Sequence, residues 1–291
     1  MARFHRPAAA QLVFLWLVTL GVPVASADVY PWPSTSAEGS VETRVKPPSG
    51  FERKPAHPGS FAAWLRGLPV KAGRPPVHLF NGQLKGNQEA HHLVLDVDVG
   101  KRDRQQCADA VIRLRAEYLR SAGRDGEVCF RFTNGTPARW SDWKAGSRPS
   151  FSARKTTWGK IAGPDASYAS FRRYLDVVFS YAGTFSLERE LDKVPDPRAI
   201  EAGDVFVAGG FPGHTVIVVD VVEDARGRRA VLLAQSYMPA QDIHILRNLA
   251  SPDSPWYVIE GDGPLSTPEW DFSAGSLRRF SGSCPDPRPS K

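Results

Sequence analysis

A chain of 291 residues, 42 % of them hydrophobic, is long enough for one large domain or two small ones around a substantial core. Its formal charge of +6 is spread along the chain with no dense Lys/Arg block, which argues against a nucleic-acid partner while permitting attraction to acidic cell-surface polymers. Past the first residues nothing approaches the roughly 20 apolar residues of a membrane span.

Residues 1–27 read as a cleavable secretory signal peptide. Arg3 and Arg6 give a positive start, 12–24 supply a short apolar run interrupted by Gly21 and Pro23, and Ala25-Ser26-Ala27 offers small residues where a signal peptidase cuts. Asp28 is then the first mature residue. Removing 27 of the 291 residues leaves 264, and losing Arg3 and Arg6 takes the charge from +6 to +4. The expected location is the periplasm or the exterior. No cysteine follows the cut, so no lipid anchor is expected.

Residues 28–58, rich in Pro, Ser and charge, are expected as an extended lead-in outside the core. A single α+β domain is expected over 59–280. A short helix over 60–68 stops at Pro69, and strands over 77–80 and 90–99 flank the turn-prone Asn81-Gly82. In the second strand His91, Leu93, Leu95 and Val97 share one face, and His92, Val94, Asp96 and Asp98 the other. Asp103 is placed to cap a helix that runs to about Ser121 and ends at Gly123. Its positions Cys107, Ala110, Val111, Leu114 and Tyr118 form one core-facing stripe. Residues 133–163 read as loop and hold Trp140, Trp143 and Trp158. A helix over 167–181 and a further turn over 186–191 precede the breakers Pro195 and Pro197. The last third is β-rich, with strands over 204–208, 214–222, 230–236, 242–246 and 256–259. Helices first and an antiparallel sheet afterwards argue for α+β. Residues 281–291 are expected as a disordered tail.

Three cysteines in an oxidising compartment cannot all pair within the chain, so one thiol is left over. Cys129 lies in the strand-like Val128-Cys129-Phe130-Arg131-Phe132, and Cys284 in the Pro/Ser-rich tail. Their pairing would free Cys107, whereas either competing pairing would make Cys107 structural.

Three features stand in an informative order: Gln105-Gln106-Cys107 opening a helix, Gly203-Asp204 opening a strand, and Gly213-His214 opening the next. A thiol attacks as its thiolate, which a helix N-terminus favours through its free N–H groups and positive dipole end. A facing imidazole serves as base and then as acid. Backbone N–H groups at the same helix end, helped by the side chain of Gln105 or Gln106, could hold an oxyanion. A third group must orient the imidazole. Asp220, six residues along a regular strand, would sit roughly 20 Å from His214. Gln235 on the following strand is therefore preferred, with Ser236 second. The pattern suggests a Cys-His hydrolase with Cys107 as nucleophile, His214 as base and Gln235 as the orienting residue.

The runs Tyr30-Pro31-Trp32-Pro33, Gly59-Ser60-Phe61 with Trp64-Leu65-Arg66, Leu95-Asp96-Val97-Asp98-Val99-Gly100, Arg104-Gln105-Gln106-Cys107-Ala108-Asp109-Ala110, Phe132-Thr133-Asn134-Gly135, Gly203-Asp204-Val205-Phe206 with Gly213-His214, Ala234-Gln235-Ser236-Tyr237-Met238-Pro239-Ala240-Gln241-Asp242 and Thr267-Pro268-Glu269-Trp270 together resemble the bacterial family catalogued as domain of unknown function 4846. That resemblance covers nearly all of the mature chain and implies a bacterial envelope protein. More remotely, Cys107 on its helix and the Gly-Asp strand followed by Gly-His resemble the papain-like fold of NlpC-type cell-wall peptidases and amidases. Those enzymes use a helix-borne Cys, a strand-borne His and a polar residue on the next strand. Two departures stand out: Gln106 and Ala108-Asp109 flank the cysteine where those enzymes usually carry Asp before and Ser-Gly after, and Gln235 stands where their third residue is often His.

Tyr237 shares the strand face of Gln235 and, with Gln106, is the candidate for contact with substrate. His92, Asp96 and Asp98 could bind a metal or act as a carboxylate pair, but a solvated strand face is the preferred account and no metal is expected. Gly209-Gly210-Phe211-Pro212-Gly213 joins strand to strand and is no phosphate cradle, so no cofactor is expected. The first reading is an exported papain-like thiol hydrolase acting on amide bonds, with cell-wall peptide as the candidate substrate. The second is a non-catalytic envelope protein binding peptide or glycan in the same cleft. The third is a metal- or carboxylate-dependent enzyme built on Asp96 and Asp98.

Overall fold

A computed structural model describes residues 1, 29–32, 37–152, 155–261, 263–282 and 284. The signal segment and its cleavage site fall on 2–28, outside the described residues. Nine strands, counted among the described residues, make the main sheet: β1 (Phe51–Arg53), β2 (His91–Val94), β3 (Asp192–Lys193), β4 (Val205–Ala208), β5 (His214–Asp224), β6 (Arg229–Gln235), β7 (His244–Leu246), β8 (Tyr257–Ile259) and β9 (Leu277–Arg279). Six helices accompany it among the same residues: α1 (Val41–Arg44), α2 (Phe61–Arg66), α3 (Cys107–Ser121), α4 (Trp140–Lys144), α5 (Tyr168–Tyr181) and α6 (Thr184–Glu190). The fold is α+β with a large antiparallel sheet, as the order of elements along the chain predicts. None of these helices is long and apolar enough to cross a membrane.

The β-branched run Thr215-Val216-Ile217-Val218-Val219 is stiff at χ1 and suits a buried pleated strand, which makes β5 the spine of the sheet. The order is β2-β7-β6-β5-β4-β9-β3, with β8 also on β6 and β1 also on β5. Every pairing is antiparallel. Both faces of β5 are covered. Ile217 and Val219 join the core that holds Ala110, Val111 and Leu114 of α3, while Val216 and Val218 join a second core with Phe206, Leu233 and Phe272.

A bulge interrupts the alternation. Val218 pairs with Leu233 and Asp220 with Leu232, so Val219 is the extra residue, and the core positions shift from Ile217 and Val219 to Val222. Asp220 is fully buried and holds Arg53 Nε at 2.7 Å and Arg66 Nε at 2.5 Å. That occupation, with the distance along the strand, removes Asp220 from the role of orienting His214.

Residues 41–53 correct the expectation of a lead-in outside the core. Val41 and Val45 are buried, and β1 pairs with Val222, Glu223 and Asp224 of β5. Pro and charge flank these apolar residues and mask them in a composition count. The expected strand over 77–80 is replaced by a loop pinned by isolated bridges from His78 to Leu84 and Leu79 to Gln241. Trp140 and Trp143, expected in a loop, are buried on α4.

Helix starts follow the caps. Ser60 accepts Ala63 N–H at α2, and Ser167 accepts Ser170 N–H at α5. At α3 the cap is Gln106 rather than Asp103. The Asp109 carboxylate accepts the Gln106 N–H at 3.0 Å, while Asp103 instead accepts Gln106 Nε2 at 2.9 Å and Ala240 N at 2.7 Å. α3 is also buried on more than one stripe, because Arg113 and Glu117, both fully buried, pair with each other, with Asp98 and with the Tyr168 hydroxyl. Cys129 and Cys284 form a disulfide with Cα atoms 5.5 Å apart, which ties residue 284 to the Cys129–Arg131 strand. Residues 283 and 285–291 of the expected tail lie outside the described residues.

Replacing Asp220 by Ala leaves Arg66 buried without its carboxylate. Asp220→Ala is expected to lose about 3–5 kcal/mol of stability, read by urea unfolding. A loss under 1 kcal/mol would mean that the pair does not anchor the bulge.

Candidate functional site

The disulfide between Cys129 and Cys284 leaves Cys107 as a free, buried thiol. Cys107 is the first residue of α3 and 9 % exposed. Its sulfur faces the backbone N–H groups of Cys107, Ala108 and Thr215, which favour a thiolate. Burial first, and the Asp109 carboxyl second, outweigh them and push the thiol up to about 11.

His214 begins β5 and is 1 % exposed. The tight Gly213 turn puts it there: a Cβ on Gly213 would come 2.7 Å from the carbonyl oxygens of Ala208 and Gly210, so only glycine fits. The imidazole Nε2 meets Gln235 Oε1 at 2.8 Å, across from β5 to the end of β6. The ring packs against Tyr237, Trp270 and Phe272 with centroids 4.8, 5.4 and 5.9 Å away. Burial, with Lys85 adding to it, pushes His214 down to about 4 against the support of the Gln235 bond. At neutral pH the thiol and the imidazole are therefore both uncharged.

The side chains reach this place from two directions. Val207 pairs with Thr215 and belongs to the core shared with α3, whereas Ala208 pairs with His214 and packs on the opposite core. α3 meets β5 from one face and the imidazole leaves from the other. The Thr215 N–H, one residue after His214, is the strand group that favours the thiolate.

Three further side chains, Glu269, His244 and Lys85, complete the polar cluster around His214. Gln235 Nε2 lies 2.6 Å from Glu269 Oε2 and 3.3 Å from His244 Nε2. Glu269 forms an ion pair with Lys85, whose Nζ also lies 5.6 Å from the centroid of the Tyr237 ring. His244 Nδ1 contacts the Asp242 carbonyl at 2.9 Å. Sequence reasoning missed Lys85, His244 and Glu269. Lys85 comes from the 77–88 loop and Glu269 from the turn before Asp271–Phe272, and no spacing along the chain links them.

The remaining expected site residues are held elsewhere. Gln106 spends its amide on Asp103, although with Arg102, Asp103, Arg104, Phe179 and Ser180 it lines an open depression of about 470 Å³ beside the start of α3. Gln105 accepts from Arg113 Nη1 at 2.7 Å. Ser236 hydrogen-bonds to the carbonyls of Gln105 and Gln241. Asp204 makes a two-pronged pair with Arg279 at 2.6 and 2.7 Å. His92, Asp96 and Asp98 do not share a strand face, because β2 stops at Val94. Asp98 pairs with Arg113 and Arg172. Among the described residues no three His, Cys, Asp or Glu side chains are grouped to hold a metal ion.

Two depressed histidines give a signed pH dependence. Burial pushes His244 down to about 3 and His214 to about 4. Unfolding returns each to an ordinary value near 6.5, so the unfolded chain binds more protons between these limits. Their contribution is fully present above about pH 6.5 and is lost as pH falls towards 4, by roughly 3 kcal/mol from His214 alone. Urea unfolding at pH 7.5 and 4.5 should show this loss, with a smaller slope in His214→Gln. A variant with the wild-type slope would refute it.

A family described as Domain of unknown function (4846) matches residues 41–279. No curated protein matches the chain, and no solved structure does.

Proposed function

The chain belongs to the family described as Domain of unknown function (4846), and from its geometry we propose that the protein is an exported thiol hydrolase of papain-like architecture acting on amide bonds. Cys107 is the nucleophile, His214 the general base and Gln235 the residue that orients the imidazole. One observation carries the reading. The free thiol at the start of α3 faces the Thr215 amide at the start of β5 where His214 stands, and His214 is hydrogen-bonded through Nε2 to Gln235. With Nε2 donating to Gln235 Oε1, the open nitrogen is Nδ1, which has the lone pair a base needs.

The resting pair is neutral, so attack begins with proton transfer rather than from a preformed ion pair. The two groups come to the start of β5 from opposite faces with Tyr237 beside both, and the thiol proton moves to Nδ1 around that strand end as sulfur bonds the amide carbon. The N–H groups of Cys107 and Ala108 face the oxygen on which charge develops. The imidazolium then returns the proton to the departing amine, and water, deprotonated by the same Nδ1, releases the acid and restores the thiol.

Export is supported by the N-terminal pattern and by the Cys129–Cys284 disulfide, a bond characteristic of oxidising compartments. Export would place the enzyme where cell-wall peptides are the abundant amide substrate. Leu84, Phe211 and Met238 are exposed apolar side chains beside Lys85, Gly213 and Tyr237, and they offer an apolar rim for such a peptide.

The reading is tested by incubating the mature chain with muropeptides. Wild type should release a new amine, and Cys107→Ala should fall by at least about 10³-fold. Activity that survives in Cys107→Ala would remove the thiol from the chemistry, and no turnover by wild type would leave a non-catalytic binding protein in its place. A second measurement reads the dyad directly. A bis-electrophile with a three-carbon span should link Cys107 to His214, leaving a bridged peptide in the digest. Single-point alkylation of Cys107 alone would separate the two groups.

A further inference from the structure

Gln235 has an amide end that is nearly symmetric in shape, and its two orientations are opposite in chemistry. With Oε1 towards His214 the imidazole carries its proton on Nε2. With Nε2 towards His214 the ring must accept there, and Nδ1 loses the lone pair that the proposed base requires. The residues behind Gln235 decide between these. His244 Nδ1 faces the Asp242 carbonyl at 2.9 Å, which can only accept, so Nδ1 holds the proton and His244 Nε2 is an acceptor. Glu269 Oε2, 2.6 Å away, is an acceptor as well. Both face the same Gln235 nitrogen, which has two hydrogens to give. Flipping the amide would set its oxygen against a carboxylate and a lone pair in a site where Gln235 is 1 % and His244 0 % exposed. Unpaired acceptors in such a place are costly.

We propose that Glu269, anchored by the buried Lys85 ion pair and seconded by His244, is the positioning residue that fixes the amide of Gln235 and thereby sets His214 in the Nε2–H tautomer. The inference rests on the hydrolase reading for its purpose but not for its test. Lys85 is 6 % exposed and its ammonium holds the second oxygen of Glu269, which leaves Oε2 for Gln235. Donation converges on Glu269: Lys85 donates to it from one side, and from the other His214 donates to Gln235, which donates to Glu269 and His244. The order ends with a lone pair on His214 Nδ1. Glu269 and His244 both bear on the tautomer of His214 through their hydrogen bonds to Gln235.

The tautomer is read in the resting protein by long-range ¹H–¹⁵N correlation of the histidine rings in the ¹⁵N-labelled mature chain, with His214 assigned by its loss in His214→Gln. Wild type should show at least a roughly tenfold preference for the Nε2–H form at His214, the factor that one charge-assisted hydrogen bond supplies, and the Nδ1–H form at His244. In Glu269→Ala the His214 preference should fall to within about threefold of even. The double variant Lys85→Met/Glu269→Leu replaces the buried pair by apolar groups and guards against misfolding. It should show the same loss of preference with an unchanged circular-dichroism spectrum. An Nδ1–H tautomer of His214 in wild type would overturn the proposal without any variant, and so would a wild-type preference retained in the folded double variant. Absence of turnover on muropeptides leaves the tautomer result standing, so the two readings fail separately.

Discussion

The pairing of β5 with β6 is the constraint on which the site depends. Ile217 lies opposite Ala234, so the end of β6 comes level with the start of β5 and Gln235 reaches diagonally to His214. A slip of one residue would turn His214 to the face of α3 and Gln235 away from it, because side chains alternate along a strand. The bulge at Val219 and the clamp of Arg53 and Arg66 on Asp220 lie further along the same strand and hold that register. A buried carboxylate shared by two arginines is costly to desolvate, and it specifies one alignment because any shifted register would strand a charge.

Burial shapes the chemistry as much as position does. The same enclosure that raises Cys107 to about 11 lowers His214 to about 4, so the two groups rest as a neutral pair. Backbone N–H groups around the sulfur work against burial and become more effective once negative charge forms, since they are already aimed and need no reorganisation. The ion pair of Lys85 with Glu269 lies in the same cluster and is joined to His214 by hydrogen bonds through the amide of Gln235, while the Lys85 charge also acts on the ring across space. Three elements far apart in sequence are thus joined by hydrogen-bond direction rather than by shape alone.

Much of this was legible residue by residue. Ser60 and Ser167 announce their helices because their hydroxyls accept backbone N–H groups that the first turn leaves open. The long β-branched run from Thr215 announces β5, and the odd cysteine count announces one free thiol in an oxidising setting. The stretch around Val41 and Val45 was illegible because two buried valines among Pro and charge carry no periodic signal. Trp140 and Trp143 misled for the related reason that a five-residue helix is too short to show a repeat. The apparent face shared by His92, Asp96 and Asp98 assumed a strand that stops at Val94.

The sequence by itself determined the longer elements, the α+β class and the order Cys107, His214, Gln235 along the chain. These follow from propensity, capping and periodicity, which act over a few residues. Tertiary structure alone decided that Cys129 takes Cys284, that Asp220 serves two arginines, and that Lys85, His244 and Glu269 converge behind Gln235. Those outcomes depend on which groups are buried together and on the direction in which each donates, and neither is written in the spacing of residues along the chain.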